Sequence, residues 1–224
     1  MKRRDFVIST LAWGVGLSTA SRMLGQQKAH APDLAALAES KSFTVFNRSV
    51  SSFNDGAKKG ARLSASPGDG VAYLPGLEFA DGTIELDIKG KDVPQQSFVG
   101  VAFHGVDGTT YDAIYFRPFN FKTEDQARRI RAVQYISHPT HTWQKLRTEQ
   151  PGKYEKPVNP VPDPSTWFHA RIVVASPKVS VFVSDAKEPC LVVEQLSDRK
   201  KGLVGLWVGN MSDGDFANFK IVPA

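Results

Sequence analysis

Short segments in which apolar and polar residues alternate make up most of the chain from Phe43 onwards. The stretch "GTIELDIKG" is the clearest, because Ile84, Leu86 and Ile88 fall on one side of an extended segment and charged residues fall on the other. Similar stretches include "FTVFNRSV", "FVGVAFHG", "RAVQYISHP", "WFHARIVVAS" and "GLVGLWVGN", and they are separated by turn residues such as Gly, Pro and Asn-Asp-Gly. The pattern predicts about a dozen short strands.

Helical periodicity is weak throughout this pattern. An Ala-rich segment that Asp33 would cap and the stretch "KTEDQARRI" each predict one short helix. Residues 138–166 are rich in Pro and have no apolar periodicity, so we expect a long loop there. Many short strands without parallel βαβ units, and without a repeat of about 20–50 residues, predict an all-β fold, an antiparallel jelly-roll β-sandwich.

Several predicted strands carry an unusual set of residues on the side that faces away from the core. This second side holds small, aromatic and hydrogen-bonding residues: Phe98, Gly100, Ala102, His104, Tyr115, Arg117, Ala132, Gln134, Ile136, Gly205, Trp207 and Gly209. A solvated face would be rich in Lys, Glu and Thr instead. Aromatic rings on which a sugar stacks, beside Arg, Gln and Asn side chains that bond its hydroxyls, form a saccharide groove. We therefore expect Tyr115, Arg117, Asn120, Gln134 and Trp207 to bind a ligand on the concave sheet.

Each of these residues also has a structural interpretation. Arg117 could be an ion-pair partner or a charge at the rim, and Gln134 could bond a neighbouring backbone edge. Trp207 could be a packing residue, and His104 a hydrogen-bonded strand histidine.

Metal ligands are not expected from the spacing of the histidines or the carboxylates. His138 and His141 are three residues apart in a Pro-containing loop, and no further ligand lies near them in sequence. Asp213 and Asp215 flank a Gly, which predicts a tight turn into the last strand, and a structural calcium ion is the alternative.

The first twenty residues have the pattern of an export signal. The stretch "MKRRDFVISTLAWGVGLSTA" has a basic start, an apolar run too short to span a bilayer comfortably, and small residues at its end. The adjacent Arg3 and Arg4 resemble a twin-arginine signal, so we expect an exported, periplasmic or extracellular protein, with an uncleaved membrane anchor as the alternative. The expected organisation is a signal peptide over 1–20, a linker or short helix over 21–42, and one β-sandwich domain over 43–224.

Composition and charge restrict the partners. A hydrophobic fraction of 41%, with 14 Phe and 4 Trp, is enough for one domain with a substantial core. The net charge of +5 falls to +3 once "MKRRD" is removed, and the basic cluster of Arg128, Arg129 and Arg131 is expected to be a solvated or ion-paired loop. We therefore expect no nucleic-acid partner and, after removal of the signal peptide, no association with a membrane.

The single cysteine, Cys190, lies in an apolar segment and is expected to be a buried structural thiol.

The order of the segments "FADGTIELDIKG", "FVGVAFH", "YFRPFN", "AVQYIS", "WFHARIVV", "VSVFV" and "KGLVGLWVGNMSDGDFANFKI" resembles the concanavalin A-like lectin/glucanase superfamily. Within it, the chain looks most like 3-keto-disaccharide hydrolase, or family 16-like glycoside hydrolase, domains. The resemblance covers roughly residues 43–222 and implies two packed antiparallel sheets with the ligand on the concave one.

Several positions depart from the patterns of those families. Ala132 stands where the hydrolase-like family has an acid, Trp207 where it has Gln, and Asn210 lies in the region of its His, which adds Asn210 to the expected ligand-binding residues. "ELDIKG" has Glu85 and Asp87, but Gly90 stands where the laminarinase-type signature needs its acid/base. That stretch therefore lacks the carboxylate pair of a retaining glycosidase.

Three functions fit these observations. The first is an exported carbohydrate-binding protein without a cofactor. The second is an enzyme that cleaves a glycoside or a 3-keto-disaccharide, with His104 or His138 as the base and Arg117 as the electrophilic group. The third is a laminin G-like domain that docks another protein. The sequence carries no signal for an oligomeric state.

Overall fold

A computed structural model describes residues 28–56 and 58–224. The expected signal peptide and the beginning of the expected linker lie outside the described residues. The helices are α1 (Leu34–Glu39), α2 (Gln126–Arg129) and α3 (Trp143–Glu149), with a 3-10 turn at Pro118–Asn120. The strands are β1 (Thr44–Phe46), β2 (Val50–Asn54), β3 (Lys59–Leu63), β4 (Gly70–Phe79), β5 (Gly82–Lys89), β6 (Val99–Gly105), β7 (Tyr111–Phe116), β8 (Val133–His138), β9 (Glu155–Lys156), β10 (Phe168–Ala175), β11 (Lys178–Val183), β12 (Leu191–Glu194), β13 (Gly202–Val208) and β14 (Gly214–Pro223).

The strands form two seven-stranded sheets. The first sheet has the order β1-β4-β13-β6-β7-β8-β9, and the second has the order β12-β11-β10-β5-β14-β3-β2. The neighbouring strands within each sheet pair antiparallel. The prediction of an all-β, antiparallel jelly-roll β-sandwich is therefore confirmed.

The core lies between the two sheets, as the alternation predicted for β5. Ile84, Leu86 and Ile88 are fully buried on the inner face of the second sheet. From the first sheet, Phe116 meets Phe168 of β10 with ring centroids 5.1 Å apart. Strands β6 and β7 are buried along their whole length, on both faces. On the outer face, the ring of Phe98 packs against Tyr115 of β7 and against Phe119 of the 3-10 turn, with ring centroids 6.1 and 5.5 Å apart.

Two short helices were predicted, and the structure contains both. Asp33 caps α1 by accepting hydrogen bonds from the backbone N–H groups of Ala35 and Ala36 at 3.1 and 3.2 Å. Asp125 caps α2 in the same way. In the described residues, no helix is long and apolar enough to cross a membrane.

The prediction of an unbroken loop over residues 138–166 was wrong, because this segment contains α3 and the short strand β9. Thr142 caps α3 by accepting from the backbone N–H of Lys145 at 3.4 Å. Leu146 is the one residue of the helix that is buried, so no apolar stripe could mark it in the sequence.

Cys190 lies partly buried beside β11. Its thiol donates to the carbonyl oxygen of Val181 at 3.4 Å, and burial raises its pKa to about 11. A thiol with that pKa is almost entirely protonated at neutral pH, which agrees with the expected structural role.

Candidate functional site

A pocket of about 260 Å³ lies on the outer face of the first sheet, above β13, β7 and β8. The sheet forms the floor of the pocket. The walls are formed by the loop before β6, which contributes Gln95 and Phe98, and by the 3-10 turn, α2 and α3. The lining residues are aromatic, basic or amide-bearing for the most part: Asp69, Gln95, Phe98, Tyr115, Arg117, Phe119, Asn120, Arg128, Arg131, Ile136, Trp143, Arg147, Trp207, Gly209 and Asn210. Five of the six expected ligand-binding residues therefore line one pocket.

Strand register explains why the floor residues meet. Trp207 pairs with Gly100, Gly100 pairs with Tyr115, Tyr115 pairs with Gln134, and Gln134 pairs with Glu155. Register partners in antiparallel strands point to the same face, so these five residues form one row across the sheet. The rings of Tyr115 and Trp207 lie 4.8 Å apart between centroids, and each residue is 2% exposed. They are the floor of the pocket rather than open stacking surfaces.

Arg117, Tyr115 and Gln134 form a closed hydrogen-bonded network. Arg117 Nη2 donates to Tyr115 Oη at 2.6 Å and also to Gln134 Oε1. Tyr115 Oη donates to the same Gln134 Oε1 at 2.9 Å. Burial raises the pKa of Tyr115 to about 12, so its hydroxyl keeps the proton that it donates. Gln134 is fully buried beneath the pocket wall and holds the other two side chains in place.

Glu155 is the carboxylate around which three arginines gather. Arg147 binds it in a two-pronged ion pair, with Nε to Oε1 at 3.0 Å and Nη2 to Oε2 at 2.8 Å. Arg131 Nε lies 3.6 Å from Oε1, and Arg117 Nη1 lies 3.9 Å from Oε2. Only Arg147 is therefore within ordinary hydrogen-bonding distance of this carboxylate.

Asp69 lines the far end of the pocket with a half-buried carboxyl, and the imidazole of His138 lies beside it, outside the pocket lining. Trp207 Nε1 donates to Tyr111 Oη at 3.1 Å, and Tyr111 Oη donates to Asp69 Oδ2 at 3.2 Å. His138 stacks on Tyr111 with ring centroids 5.1 Å apart, and its Nε2 lies 4.0 Å from Asp69 Oδ2. Burial raises the pKa of Asp69 and lowers the pKa of His138, which favours the neutral form of both groups.

Asn120 and Asn210, the two asparagines expected to bind ligand, form hydrogen bonds with segments in the walls of the pocket. Asn120 donates through Nδ2 to the carbonyl oxygen of Arg131 at 3.3 Å and accepts through Oδ1 from Arg128 Nε at 3.3 Å. Asn210 Oδ1 accepts from the backbone N–H of Gly68 at 2.8 Å. Both residues also line the pocket.

His104 lies elsewhere, and its expected place in the pocket-facing row was wrong. It is fully buried, with Nε2 2.8 Å from the carbonyl oxygen of Ala80 and Nδ1 2.9 Å from Gln195 Nε2. Its φ of 48° marks a bulge, at which Val204 of β13 faces two residues of β6, Phe103 and His104. The extra residue breaks the alternation, so His104 does not line the pocket and no catalytic role for it follows from the geometry.

The carboxylates considered for calcium form ion pairs. Asp213 meets Lys91 at 2.6 Å, and Asp215 meets Arg62 Nη2 at 2.7 Å. Within residues 28–56 and 58–224, no group of three or more His, Cys, Asp or Glu side chains could hold a metal ion.

Sequence reasoning missed several residues of the pocket. The basic cluster of Arg128, Arg129 and Arg131 was expected to be a solvated or ion-paired loop. In the structure, Arg128 and Arg131 line the pocket. Arg129 lies outside the pocket lining and donates to the carbonyl oxygen of Thr123. Trp143 and Arg147 belong to α3, which the sequence pattern did not reveal. The combination of Trp and Arg four residues apart was the one local signal for a shared helix face.

The sequence matches no protein-family model, and no curated protein matches it. The carbohydrate-binding module CBM66 from Bacillus subtilis is similar in structure, with a TM-score of 0.57 and 16% identity over 80% of this chain and 95% of the module. A Bacillus subtilis protein of unknown function with a galectin-like fold also has a TM-score of 0.57, with 12% identity over 87% of this chain and 94% of its own. The carbohydrate recognition domain of Emp46p has a TM-score of 0.50, with 13% identity over 86% of this chain and 94% of that domain.

Identities this low establish the fold alone. The two antiparallel seven-stranded sheets and these structural neighbours together show that the described part of the chain has the concanavalin A-like lectin/glucanase fold.

Proposed function

We propose that this protein binds a saccharide in the pocket on the concave side of its first sheet. The observation that carries the proposal is the position of Trp143, a residue that is 40% exposed and lines a pocket whose floor carries hydrogen-bonding groups. Arg147 Cζ lies over the indole, 4.8 Å from its ring centroid, and a pyranose ring can stack on the opposite face while Arg and Asn side chains bond its hydroxyls. Two of the structural neighbours are named as carbohydrate-binding or carbohydrate-recognition domains, which supports the proposal.

The volume of the pocket limits what it can enclose. About 260 Å³ is slightly below the range of roughly 300–1,000 Å³ that encloses drug-sized ligands. We infer that one or two sugar residues enter the pocket and that the remainder of a longer glycan stays in solvent.

The test is binding of the purified protein to neutral and acidic polysaccharides in affinity gels, with the variant Trp143→Ala. We expect this variant to lose at least tenfold in affinity for the saccharide that binds, because the accessible ring is removed. Trp167→Ala is the matched control, since Trp167 stacks on Phe53 of the second sheet with centroids 5.6 Å apart. If no neutral or acidic saccharide binds, or if both variants lose binding equally, the proposal is wrong.

A second candidate function is cleavage of a glycoside or a 3-keto-disaccharide. The observation that favours it is Asp69, a half-buried pocket carboxyl beside His138 whose pKa is raised by partial burial. Such a group can exchange a proton with a bound sugar, and Arg117 can stabilise a developing oxyanion. Incubation with 3-keto-disaccharides, followed by assay of the released sugars, tests this function. Unchanged substrate, or full activity in Asp69→Asn, would exclude it.

The pocket does not favour a laminin G-like docking surface, because polar groups converge in it. Export to the periplasm or the outside of the cell remains part of the proposal, and it is supported by the twin-arginine-like stretch "MKRRDFV". Replacement of Arg3 and Arg4 by Lys, followed by cell fractionation, would retain the protein in the cytoplasm if this signal directs export.

A further inference from the structure

The pocket carries more positive than negative charge. Four arginines line it, namely Arg117, Arg128, Arg131 and Arg147, whereas Asp69 is the one carboxylate that lines it within the described residues. Glu155 lies just beneath and is 4% exposed. Arg147 already binds both carboxylate oxygens of Glu155. Glu155 therefore compensates the charge of Arg147 but contributes little to compensating the charges of the other arginines.

Arg117 is the most deeply buried of the four arginines, and no carboxylate of the described residues lies within hydrogen-bonding distance of it. It is 4% exposed, and its guanidinium hydrogen bonds go to neutral acceptors: Tyr115 Oη, Gln134 Oε1 and the carbonyl oxygen of Arg131. Among residues 28–56 and 58–224, its nearest carboxylate oxygen is Glu155 Oε2 at 3.9 Å. Burial lowers the pKa of Arg117, and the nearby charges of Arg147 and Arg131 act in the same direction. A buried cation in such surroundings is costly unless an anion joins it.

The neighbouring arginines also have unused capacity. Arg128 donates to neutral oxygens of Asn120 and Phe119 at 3.3 and 3.4 Å. Arg131 Nε is buried without a hydrogen-bond partner and lies 3.6 Å from Glu155. The guanidinium groups of Arg128 and Arg131 thus have only long hydrogen bonds, neutral acceptors or a distant carboxylate. They can bind an incoming anion without breaking a short ion pair.

The second carboxylate does not cancel this charge. Asp69 lies at the far end, against Tyr111 and His138, and burial raises its pKa. Arg48, which donates to the carbonyl oxygens of Gly68 and Gly209, adds positive charge beside it. The excess of positive charge is therefore concentrated where Arg117, Arg128 and Arg131 meet.

We propose that the pocket selects a saccharide that carries an anionic group, a carboxylate or a sulfate ester, and that Arg117, Arg128 and Arg131 surround this group. The proposal rests on the proposed saccharide-binding function and narrows its ligand class. The planar guanidinium fork matches the oxygens of either anion, so both sources share one recognition chemistry.

The test uses polymer pairs that differ in charge alone. Polygalacturonate is compared with its fully methyl-esterified form, and dextran sulfate is compared with dextran, in affinity gels at about physiological ionic strength. We expect the charged member of at least one pair to bind at least tenfold more tightly than its neutral partner. The first pair reports a carboxylate and the second a sulfate ester. Polyglutamate, which is a polyanion without sugars, is expected not to bind.

The variant Arg128→Gln/Arg131→Gln tests the assignment, because both side chains are partly exposed and the two-pronged ion pair between Arg147 and Glu155 remains. We expect at least a tenfold loss of affinity for the charged polymer and an unchanged melting temperature. Arg129→Gln removes a like charge from the same helix outside the pocket and is expected to bind as the wild type does.

Each other outcome overturns this proposal. Equal binding of neutral and charged partners would leave saccharide binding intact and remove the anionic selectivity. Binding of polyglutamate, or equal losses in the double variant and in Arg129→Gln, would show a general polyanion effect. Absence of binding to all polymers would remove the proposed function together with this inference.

Discussion

The rings of Tyr115 and Trp207 lie 4.8 Å apart although their strands, β7 and β13, are not neighbours in the sheet. Strand β6 runs between them and contributes Gly100 to the row. Because Gly100 has no side chain, the two rings can meet above it. A Cβ atom at this position would also lie 2.1 Å from the carbonyl oxygen of Ile114, so close strand packing and ring contact both depend on this glycine.

Substitutions of Trp207 should separate the ring contact from the hydrogen bond. Trp207→Phe keeps a ring beside Tyr115 but removes the donor to Tyr111 Oη, and we expect a loss of about 1 kcal/mol in the free energy of unfolding. Trp207→Ala also removes the buried ring, and we expect a loss of about 3–5 kcal/mol. Urea denaturation measures both. Similar losses for the two variants would show that the ring contact contributes little.

Gln134 should be a structural support of the pocket floor. Gln134→Met keeps the approximate volume but removes the acceptor shared by Arg117 and Tyr115, so we expect a loss of about 1–3 kcal/mol in the free energy of unfolding. Gln96→Met, at an exposed position, is the control and should change stability by less than about 0.5 kcal/mol. If Gln134→Met were as stable as the control, the network would not stabilise the fold.

Glu155 should stabilise the unliganded protein by separating like charges. Glu155→Gln leaves Arg147 without its buried carboxylate and leaves Arg131 and Arg117 facing each other, so we expect a loss of about 3–5 kcal/mol. Added sulfate should restore part of the melting temperature of this variant, since an anion can take the place of the carboxylate.

Glu149→Gln, at the exposed end of α3, is the control for this substitution and should melt as the wild type does. A Glu155→Gln protein with unchanged thermal stability would mean that solvent already screens the arginines.

The sequence pattern identified most of the pocket floor but little of its wall. Strand alternation has a period of two residues, so Tyr115, Gln134 and Trp207 could be assigned to one face without knowledge of the sheet order. The same rule failed at His104, because one extra residue in β6 reverses the side to which the following residues point. Local sequence gives no sign of such a bulge when neither partner strand is known.

The wall could not be predicted because long-range packing places it. Arg131 and Arg147 approach one another only after β9 pairs with β8 and brings Glu155 beside Gln134. Strand β9 has two residues, which is too short for an alternation signal. The charge of the pocket, on which the proposed ligand class depends, is therefore a property of the folded chain rather than of any single motif.

The outer face of the second sheet should give the protein a pH-dependent contribution to stability. His169 Nδ1 lies 2.9 Å from Asp87 Oδ1, and Lys58 and Asn218 donate to Asp87 Oδ2 at 2.7 and 2.6 Å. The hydrogen bond to Asp87 raises the pKa of His169 above 6.5, although burial opposes the shift. Burial alone would raise the pKa of Asp87, but the hydrogen bonds from His169, Lys58 and Asn218 outweigh it and lower that pKa.

The directions of these two pKa shifts determine the pH range in which each group stabilises the folded protein. The raised pKa of His169 contributes stability that is fully present below about pH 6.5 and is lost as the pH rises through the pKa of the folded protein. The lowered pKa of Asp87 contributes stability that is present above about pH 3.8 and is lost as the pH falls through the folded pKa. His169→Gln can keep a neutral hydrogen bond, so it should lower the melting temperature more at about pH 5 than at about pH 8.5.

A double-mutant cycle checks the cause of this pH dependence. In an Asp87→Asn background, His169→Gln should lower the melting temperature by similar amounts at both pH values, because the carboxylate that stabilises the imidazolium is gone. Thermal unfolding followed by circular dichroism gives the four melting temperatures at each pH. An equal effect of His169→Gln at both pH values in the wild-type background would show that solvent screens the pair, whose imidazole side chain is 37% exposed.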